Sequence, residues 1–299
     1  MNNPVLTIAT ELQTKLDRLI EMSHTNYIDL KSVLPWSTGA NRQIYPKRSD
    51  ACWMYGTDTW NGLSDPQRLE VAWHEIARDC SMFIWLEQAI PPLYVSYVVR
   101  HGADLAPSLR DYLMIFSKEE IVHTLMFREY LRLAGLEMFS PPALLMDLFT
   151  KKLPGFPPVL GILCTYLAEA VAEIGFVEGT DGPGVDPLTR ALALAHHREE
   201  ARHLAFGRWI AESHIAAGAA PSAREMARII EPMMSKLIEQ YTFNDELASR
   251  MPLGFSEHDK EAMDRMRCSE NNKTLNASRF GHLLRWLKEW SLVGADYQW

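Results

Sequence analysis

The sequence predicts an all-α protein, a bundle of long helices with further helices added at both ends. Three observations predict it. No segment shows β-type alternation of useful length. Apolar residues recur three and four apart over long segments, the period of a helix with one buried face. Two of those apolar stripes are interrupted by Glu and His where only core residues belong.

Composition sets the bounds. Apolar residues make up 47% and charged residues 23% of 299, an ordinary globular mixture long enough for a sizeable core. The whole chain, 1–299, reads as one helical domain: an N-terminal helix and wrapping arm (1–62), a bundle (64–215) and C-terminal helices (221–299). The net charge of −8 and the lack of any long Lys/Arg run argue against nucleic acid as a partner. Cys52, Cys80, Cys164 and Cys268 are far apart and form no C-x-x-C. They read as incidental buried thiols of a reduced, cytoplasmic protein. No signal peptide is expected at the N-terminus, and no 18-residue apolar run is apparent, so no membrane span is expected.

The elements follow in order. Ile8, Leu12, Leu16 and Leu19 predict a first helix from about Pro4 to Met22. The irregular stretch from His24 to Gly62 carries Trp36, Tyr45, Trp53, Tyr55 and Trp60. It is too apolar for a linker and is expected to wrap the core, as a packed arm or as a lid. Ser64-Asp65-Pro66-Gln67 is a capping box with Pro in the first turn. The helix it starts should run to about Gln88 and stop or kink at Pro91-Pro92. Its inward stripe is Ala72, Ile76, Cys80, Phe83, Ile84 and Glu87. Leu109, Leu113, Phe116, Glu120, His123, Phe127 and Leu131 form the next stripe, with Gly135 as C-cap. A short helix near Pro142 to Thr150 follows. The next helix, after Pro158, carries Glu169 and Glu173, one turn apart, either of which could face inward. After the Gly179–Gly184 loop comes a helix from Asp186 to Ala216. Three C-terminal helices are expected, roughly Ala223 to Leu247, Ser256 to Ser269 and Leu275 to Trp290.

The charged interruptions carry the chemistry. His196, Glu200 and His203 are spaced i, i+4, i+7 and share one helical face. Glu87 precedes Glu120-x-x-His123 by 33 residues, and Glu169 precedes Glu200-x-x-His203 by 31. In both halves a helix with one inward Glu is followed by a helix with inward Glu-x-x-His. This is the ferritin-like pattern of four-helix di-iron and di-manganese proteins. Two divalent cations bring about +4 of charge, which four carboxylates neutralise, and imidazoles suit iron. The repeat does not require His196, since Phe116 holds that place in the first half. His196 is either a histidine hydrogen-bonded behind the ligands or a seventh ligand.

At these residues the chain resembles the p-aminobenzoate N-oxygenase family of non-haem di-iron arylamine oxygenases. His196-His197-Arg198-Glu199-Glu200-Ala201-Arg202-His203 matches its H-x-x-x-E-x-x-H arrangement. Glu120-Ile-Val-His123-Thr-Leu-Met-Phe127 and Trp85-Leu86-Glu87-Gln88 look familial, as do Leu34-Pro35-Trp36 and Tyr55-Gly56-Thr57. The spacing of Glu169 from His196 in that resemblance favours Glu169 over Glu173. The resemblance implies two irons held by Glu87, Glu120, His123, Glu169, His196, Glu200 and His203. It also implies O₂ as co-substrate, a small aromatic amine oxidised to hydroxylamine, nitroso or nitro product in antibiotic biosynthesis, and an external reductase or ferredoxin-type electron donor. A homodimer is expected. A second reading keeps the metals but oxidises C–H or C–C bonds. A third is a non-catalytic ferritin-like iron protein, with a tyrosyl radical near Tyr130 or Tyr166. Arg265, Arg267, Arg279 and Arg285 are candidates for a substrate carboxylate by residue type alone.

Overall fold

The computed structural model describes residues 9–217, 223–242, 245–250 and 260–298. The eleven α-helices there are α1 (Thr10–Thr25), α2 (Asp58–Gly62), α3 (Asp65–His101), α4 (Pro107–Ala134), α5 (Ala143–Asp147), α6 (Pro158–Thr180), α7 (Pro187–Ala216), α8 (Ala223–Thr242), α9 (Asp245–Arg250), α10 (Lys260–Arg267) and α11 (Glu270–Glu289). Among the described residues there is no strand, only an isolated bridge between Tyr45 and Val185. The predicted starts of the first helix, at residues 4–8, and of the second C-terminal helix, at 256–259, lie outside the described residues.

Four helices make the bundle. α3 turns back into α4, α6 turns back into α7, and the two hairpins face each other. α1 lies across α4 and α7, while α8 and α11 cover α6. One hydrophobic cluster runs through all of it, from Leu12 to Val293. The capping box at Ser64 forms, with the Ser64 N–H donating to Gln67 Oε1 at 3.0 Å. Gly135 ends α4 at φ 62°, a left-handed C-cap that glycine adopts without a Cβ penalty. Asp186 caps α7 by accepting from the Thr189 N–H at 2.9 Å.

Three expectations are corrected. α3 does not end at Pro91-Pro92 but continues to His101, 37 residues in all. Each internal proline costs about 3 kcal/mol. The burial of Leu93, Tyr94 and Tyr97 beyond them offsets that, at about 1.5–3 kcal/mol per large apolar side chain. Second, α6 is long and apolar enough to cross a membrane by composition, with mean hydropathy 1.6 over its best window. That window is 94% buried inside the protein, so its apolarity reflects a helix enclosed on all sides. Third, Cys268 is exposed, whereas Cys52, Cys80 and Cys164 are buried as expected; all four are free thiols.

The arm packs as a wrap. Trp53 and Trp60 are buried, and the Trp73 indole N–H donates to the Ile44 carbonyl at 3.1 Å. Lys47 enters the core, 3.0 Å from Glu75 and 3.2 Å from Asp79. Glu75 is therefore a structural carboxylate, while Glu70 is exposed.

The α6–α7 contact is closest at Gly207. A Cβ there would stand 2.5 Å from Tyr166 Cβ, which is not the flexible end of a side chain. Gly207→Ala should therefore cost about 1–3 kcal/mol despite its better helix propensity. Thermal melting should fall by about 2–6 °C; an unchanged or raised midpoint would show that the hairpin can open without penalty.

Candidate metal centre

The four bundle helices converge on one buried layer. α3 supplies Glu87, α4 supplies Glu120 and His123, α6 supplies Glu169, and α7 supplies His196, Glu200 and His203. All seven are at most 4% exposed. Glu200 Oε1 is the hub, 3.4 Å from His123 Nδ1, 3.3 Å from His196 Nε2 and 3.2 Å from His203 Nδ1. Glu87 Oε1 lies 3.0 Å from His196 Nε2. Glu120 Oε1 lies 2.8 Å from His203 Nδ1 and 3.5 Å from His123 Nδ1.

These atoms form two overlapping sets, Glu87/His123/His196/Glu200 and Glu120/His123/Glu200/His203. Within each set the donor atoms all lie within 4.8 Å of one another. The sets share His123 and Glu200. Glu169 belongs to neither, but Glu200 and Glu120 are its strongest charged neighbours.

Each imidazole turns one nitrogen inward and fixes the other on a carboxylate outside the layer. His123 Nε2 meets Glu199 Oε2 at 2.8 Å, His203 Nε2 meets Glu119 Oε2 at 2.9 Å, and His196 Nδ1 meets Glu173 Oε2 at 3.0 Å. An outer carboxylate of this kind orients a metal-binding histidine and raises its basicity. Glu173 is thus the partner of His196 and His197, and Glu169 is the carboxylate facing inward. Glu119 and Glu199 were missed from sequence, although a signal was there. Each half carries a doubled Glu before its x-x-His, and the first Glu of each pair crosses to the histidine of the other helix. Arg202 ties the two together, 2.8 Å from Glu119 and 3.4 Å from Glu199. The arm joins in, since the Ile28 N–H donates to Glu199 Oε1 at 2.7 Å. Phe116, which occupies the place equivalent to His196, stacks on the His203 ring at 3.7 Å. One half therefore fills that position with a packing ring and the other with a third inward nitrogen.

The electrostatics are those of a cation site. Burial pushes the Glu87 carboxyl up to about 7, against the hydrogen bond from His196. Burial also drives Glu169 well up, with Glu200 and Glu120 adding repulsion. Burial opposes charge on His196, but Glu173 and Glu200 raise it to about 9. Burial likewise opposes charge on His123 and His203, and the surrounding carboxylates still carry both well up. Burial would raise Glu200, yet the His203 and His196 charges hold it well below the usual range.

Whether metal fits can be judged from the orphaned atoms. Both oxygens of Glu169, Glu120 Oε2, Glu87 Oε2 and Glu200 Oε2 are buried with no hydrogen-bond partner among the described residues, and Glu120 Oε1 and His123 Nδ1 meet only other groups of the layer. Each such group costs about 1–3 kcal/mol, more when charged. Four carboxylates and three imidazoles converging with unused lone pairs satisfy the charge and donor needs of two divalent cations.

The p-aminobenzoate N-oxygenase AurF family matches residues 9–290. The chain belongs to that family. The AurF match covers nearly the whole chain, extending well past the bundle residues on which the resemblance rested, into the C-terminal helices. By that family the protein is a non-haem di-iron N-oxygenase, a monooxygenase, on the ferritin-like helical fold of the AurF family. No curated protein matches the chain. Of the four C-terminal arginines, Arg279 binds Glu178 at 3.2 Å and Arg285 meets His282 at 3.1 Å, while Arg265 and Arg267 lie 3.8 Å and 3.7 Å from Glu261 and Glu239.

The outer carboxylates give a direct test. Glu199→Ala should weaken metal binding about 10–100-fold by freeing His123, read by competition with a chelator. An affinity equal to wild type would mean that His123 is oriented by its helix alone.

Proposed function

We propose that Glu87, Glu120, His123, Glu169, His196, Glu200 and His203 hold two irons. A metal pair held there would supply O₂ activation, and the product would be the hydroxylamine of a small primary arylamine and onward the nitroso or nitro compound. The observation that carries this reading is the ring of orphaned carboxylate oxygens facing three imidazoles whose outer nitrogens are already held. When bound, the metal pair supplies the oxidising power. The chain supplies the rest. Glu119, Glu199 and Glu173 aim the three histidines, Arg202 balances Glu119 and Glu199, and the phenylalanines around the layer exclude water. The inward nitrogen of His196 favours nitrogen oxidation over C–H or C–C chemistry, because it is what this chain adds to the shared two-half pattern.

The first oxidation turns arylamine, O₂, two electrons and two protons into arylhydroxylamine and water. The electrons must come from an external reductase or ferredoxin-type donor. The whole chain acts as one helical unit, as a homodimer in the cytoplasm, with no nucleic acid and no membrane as partner, in secondary metabolism such as antibiotic assembly. The four free thiols are in keeping with a reducing compartment. The test is to load the protein with iron, reduce it, add O₂ and a panel of arylamines beginning with p-aminobenzoate, and follow products by mass. Hydroxylamine, nitroso or nitro products are expected. No nitrogen oxidation on any amine, with turnover of an alkyl substrate instead, would overturn the reading.

A further inference from the structure

The two ends of the metal layer differ in polarity. At one end Phe83, Phe127 and Phe176 close over His196. Phe83 and Phe127 stack at 4.8 Å, Phe83 meets Phe176 at 5.2 Å, and both Phe83 and Phe127 lie within 4.8 Å of the His196 ring. Rings dominate that end: its carboxylate, Glu173, is already taken by His196 and His197, and its one buried hydroxyl without a partner among the described residues is that of Thr124, three residues before Phe127.

The other end is built at the same helical offsets with different chemistry. Tyr94 stands seven residues after Glu87, Phe116 four before Glu120, Thr165 four before Glu169, and Phe206 three after His203. Each therefore shares its helix face with a residue of the centre. Tyr94 packs on Phe116 at 5.0 Å, and Tyr112 packs on Phe206 at 4.8 Å. Tyr94, Tyr112 and Thr165 are 0% exposed. The Tyr94 and Thr165 hydroxyls have only each other for company, and neither the Tyr112 hydroxyl nor the two oxygens of Glu169 beside them have a hydrogen-bond partner among the described residues. Thr165 is the hydroxyl neighbour of Tyr94, and Glu169 is its strongest charged neighbour. Glu169 is also the one carboxylate of the inner four that makes no ion pair with an imidazole among the described residues.

Orphaned hydroxyls at this depth are costly, because each loses its water without replacement. Three buried hydroxyls with no partner outside their own group, gathered beside a carboxylate that has none either, indicate a place meant for something polar. We infer that the Tyr94 and Thr165 hydroxyls form a hydrogen-bonding subsite on the Glu169 side, which receives a small lone-pair ligand of the metals, with the Phe83/Phe127/Phe176 side closed to it. The Tyr94 phenol supplies one donor. Thr165 supplies the second donor, and Tyr112 extends the polar lining outward.

This inference rests on the metal-centre reading, and the experiment separates the two. Wild type, Tyr94→Phe and Thr165→Val are loaded with ferric iron, the iron is counted, and azide is titrated in while its charge-transfer absorption is followed. Two irons in all three proteins are expected, with azide affinity reduced about tenfold in each variant, the worth of one hydrogen bond. Melting of the metal-free proteins is read alongside. Metal-free Thr165→Val should melt at or above the wild-type temperature, because an isosteric methyl removes an unsatisfied hydroxyl. Full iron loading with azide affinity unchanged in both variants overturns the subsite alone. A lower melting point for metal-free Thr165→Val also overturns it, by showing that the hydroxyl is a structural hydrogen-bonding group. A wild-type protein that holds no iron overturns the metal centre and this inference together.

Discussion

Glu120→Ala should lower iron content from two per chain to one or none and abolish arylamine oxidation. Glu120 is fully buried, within 2.8 Å of His203 Nδ1 and 3.5 Å of His123 Nδ1. Its Oε2 has no hydrogen-bond partner among the described residues, and its Oε1 meets only imidazoles of the layer. Its removal leaves Glu200 as the sole carboxylate of the second donor set, and Glu200 is already shared with the first. Losing a direct ligand should exceed the effect of losing an outer partner, so a loss of more than about 100-fold in affinity is expected at that position. Iron analysis of the purified variant checks it, and two irons retained would undo the assignment. Glu75→Gln is the control: Glu75 is equally buried on the same hairpin but is taken by Lys47, so iron content should stay at two.

Loading should also depend on pH. In the metal-free protein Glu87 holds its proton up to about 7 and His196 up to about 9. Metal needs both deprotonated, so binding expels protons and affinity rises with pH. Apparent affinity should therefore fall steadily as pH is lowered from about 9 to 6. A flat profile across that window would show that these groups do not face metal.

The second large effect is on stability. Lys47→Met should destabilise the fold by about 3–5 kcal/mol, the usual cost of leaving a buried charge unpaired. For a chain of this size that lowers melting by about 6–10 °C. Lys47 is 3% exposed. Burial opposes its charge, but Asp79 and Glu75 more than compensate and raise it above its ordinary value. Because the folded value is raised, its contribution is present at all pH values below its unfolded range and is lost only in strong alkali. Arg78 still holds Asp79 at 2.6 Å in the variant, which leaves Glu75 with only the Trp53 N–H at 3.1 Å. A calorimetric midpoint within about 2 °C of wild type would show that water or a rearranged Arg78 replaces the lysine. Iron content should be unaffected.

The two experiments separate carboxylates that the sequence presents alike. Glu75, Glu87, Glu119, Glu120, Glu169, Glu173, Glu199 and Glu200 all lie on bundle helices and all are buried. Helical period alone singles out Glu87, Glu120 and Glu200, since each falls on a continuous apolar stripe. It does not reach Glu119 or Glu199, because the residue beside a stripe faces about 100° away and reads as surface. They are buried because the hairpins pack so closely that each covers the flank of the other, and because Arg202 and the arm at Ile28 close over them. Glu169 and Glu173 are one turn apart and identical by period; the family resemblance favours Glu169, and the rotation of α6 against α7, which turns Glu173 onto His196 and His197, agrees. Likewise, local sequence reads Pro91-Pro92 as a break, whereas the buried surface beyond it carries α3 through.

By itself, then, the sequence determined the helical class, the two-half repeat, the inward Glu-x-x-His pairs and the family, because these depend on periodicity and residue type along one chain. Tertiary structure alone decided which carboxylates meet the outer nitrogens of the histidines, which nitrogen each imidazole turns inward, and where buried hydroxyls gather beside the layer. Those depend on how faces of different helices meet, and no spacing within a single helix encodes that.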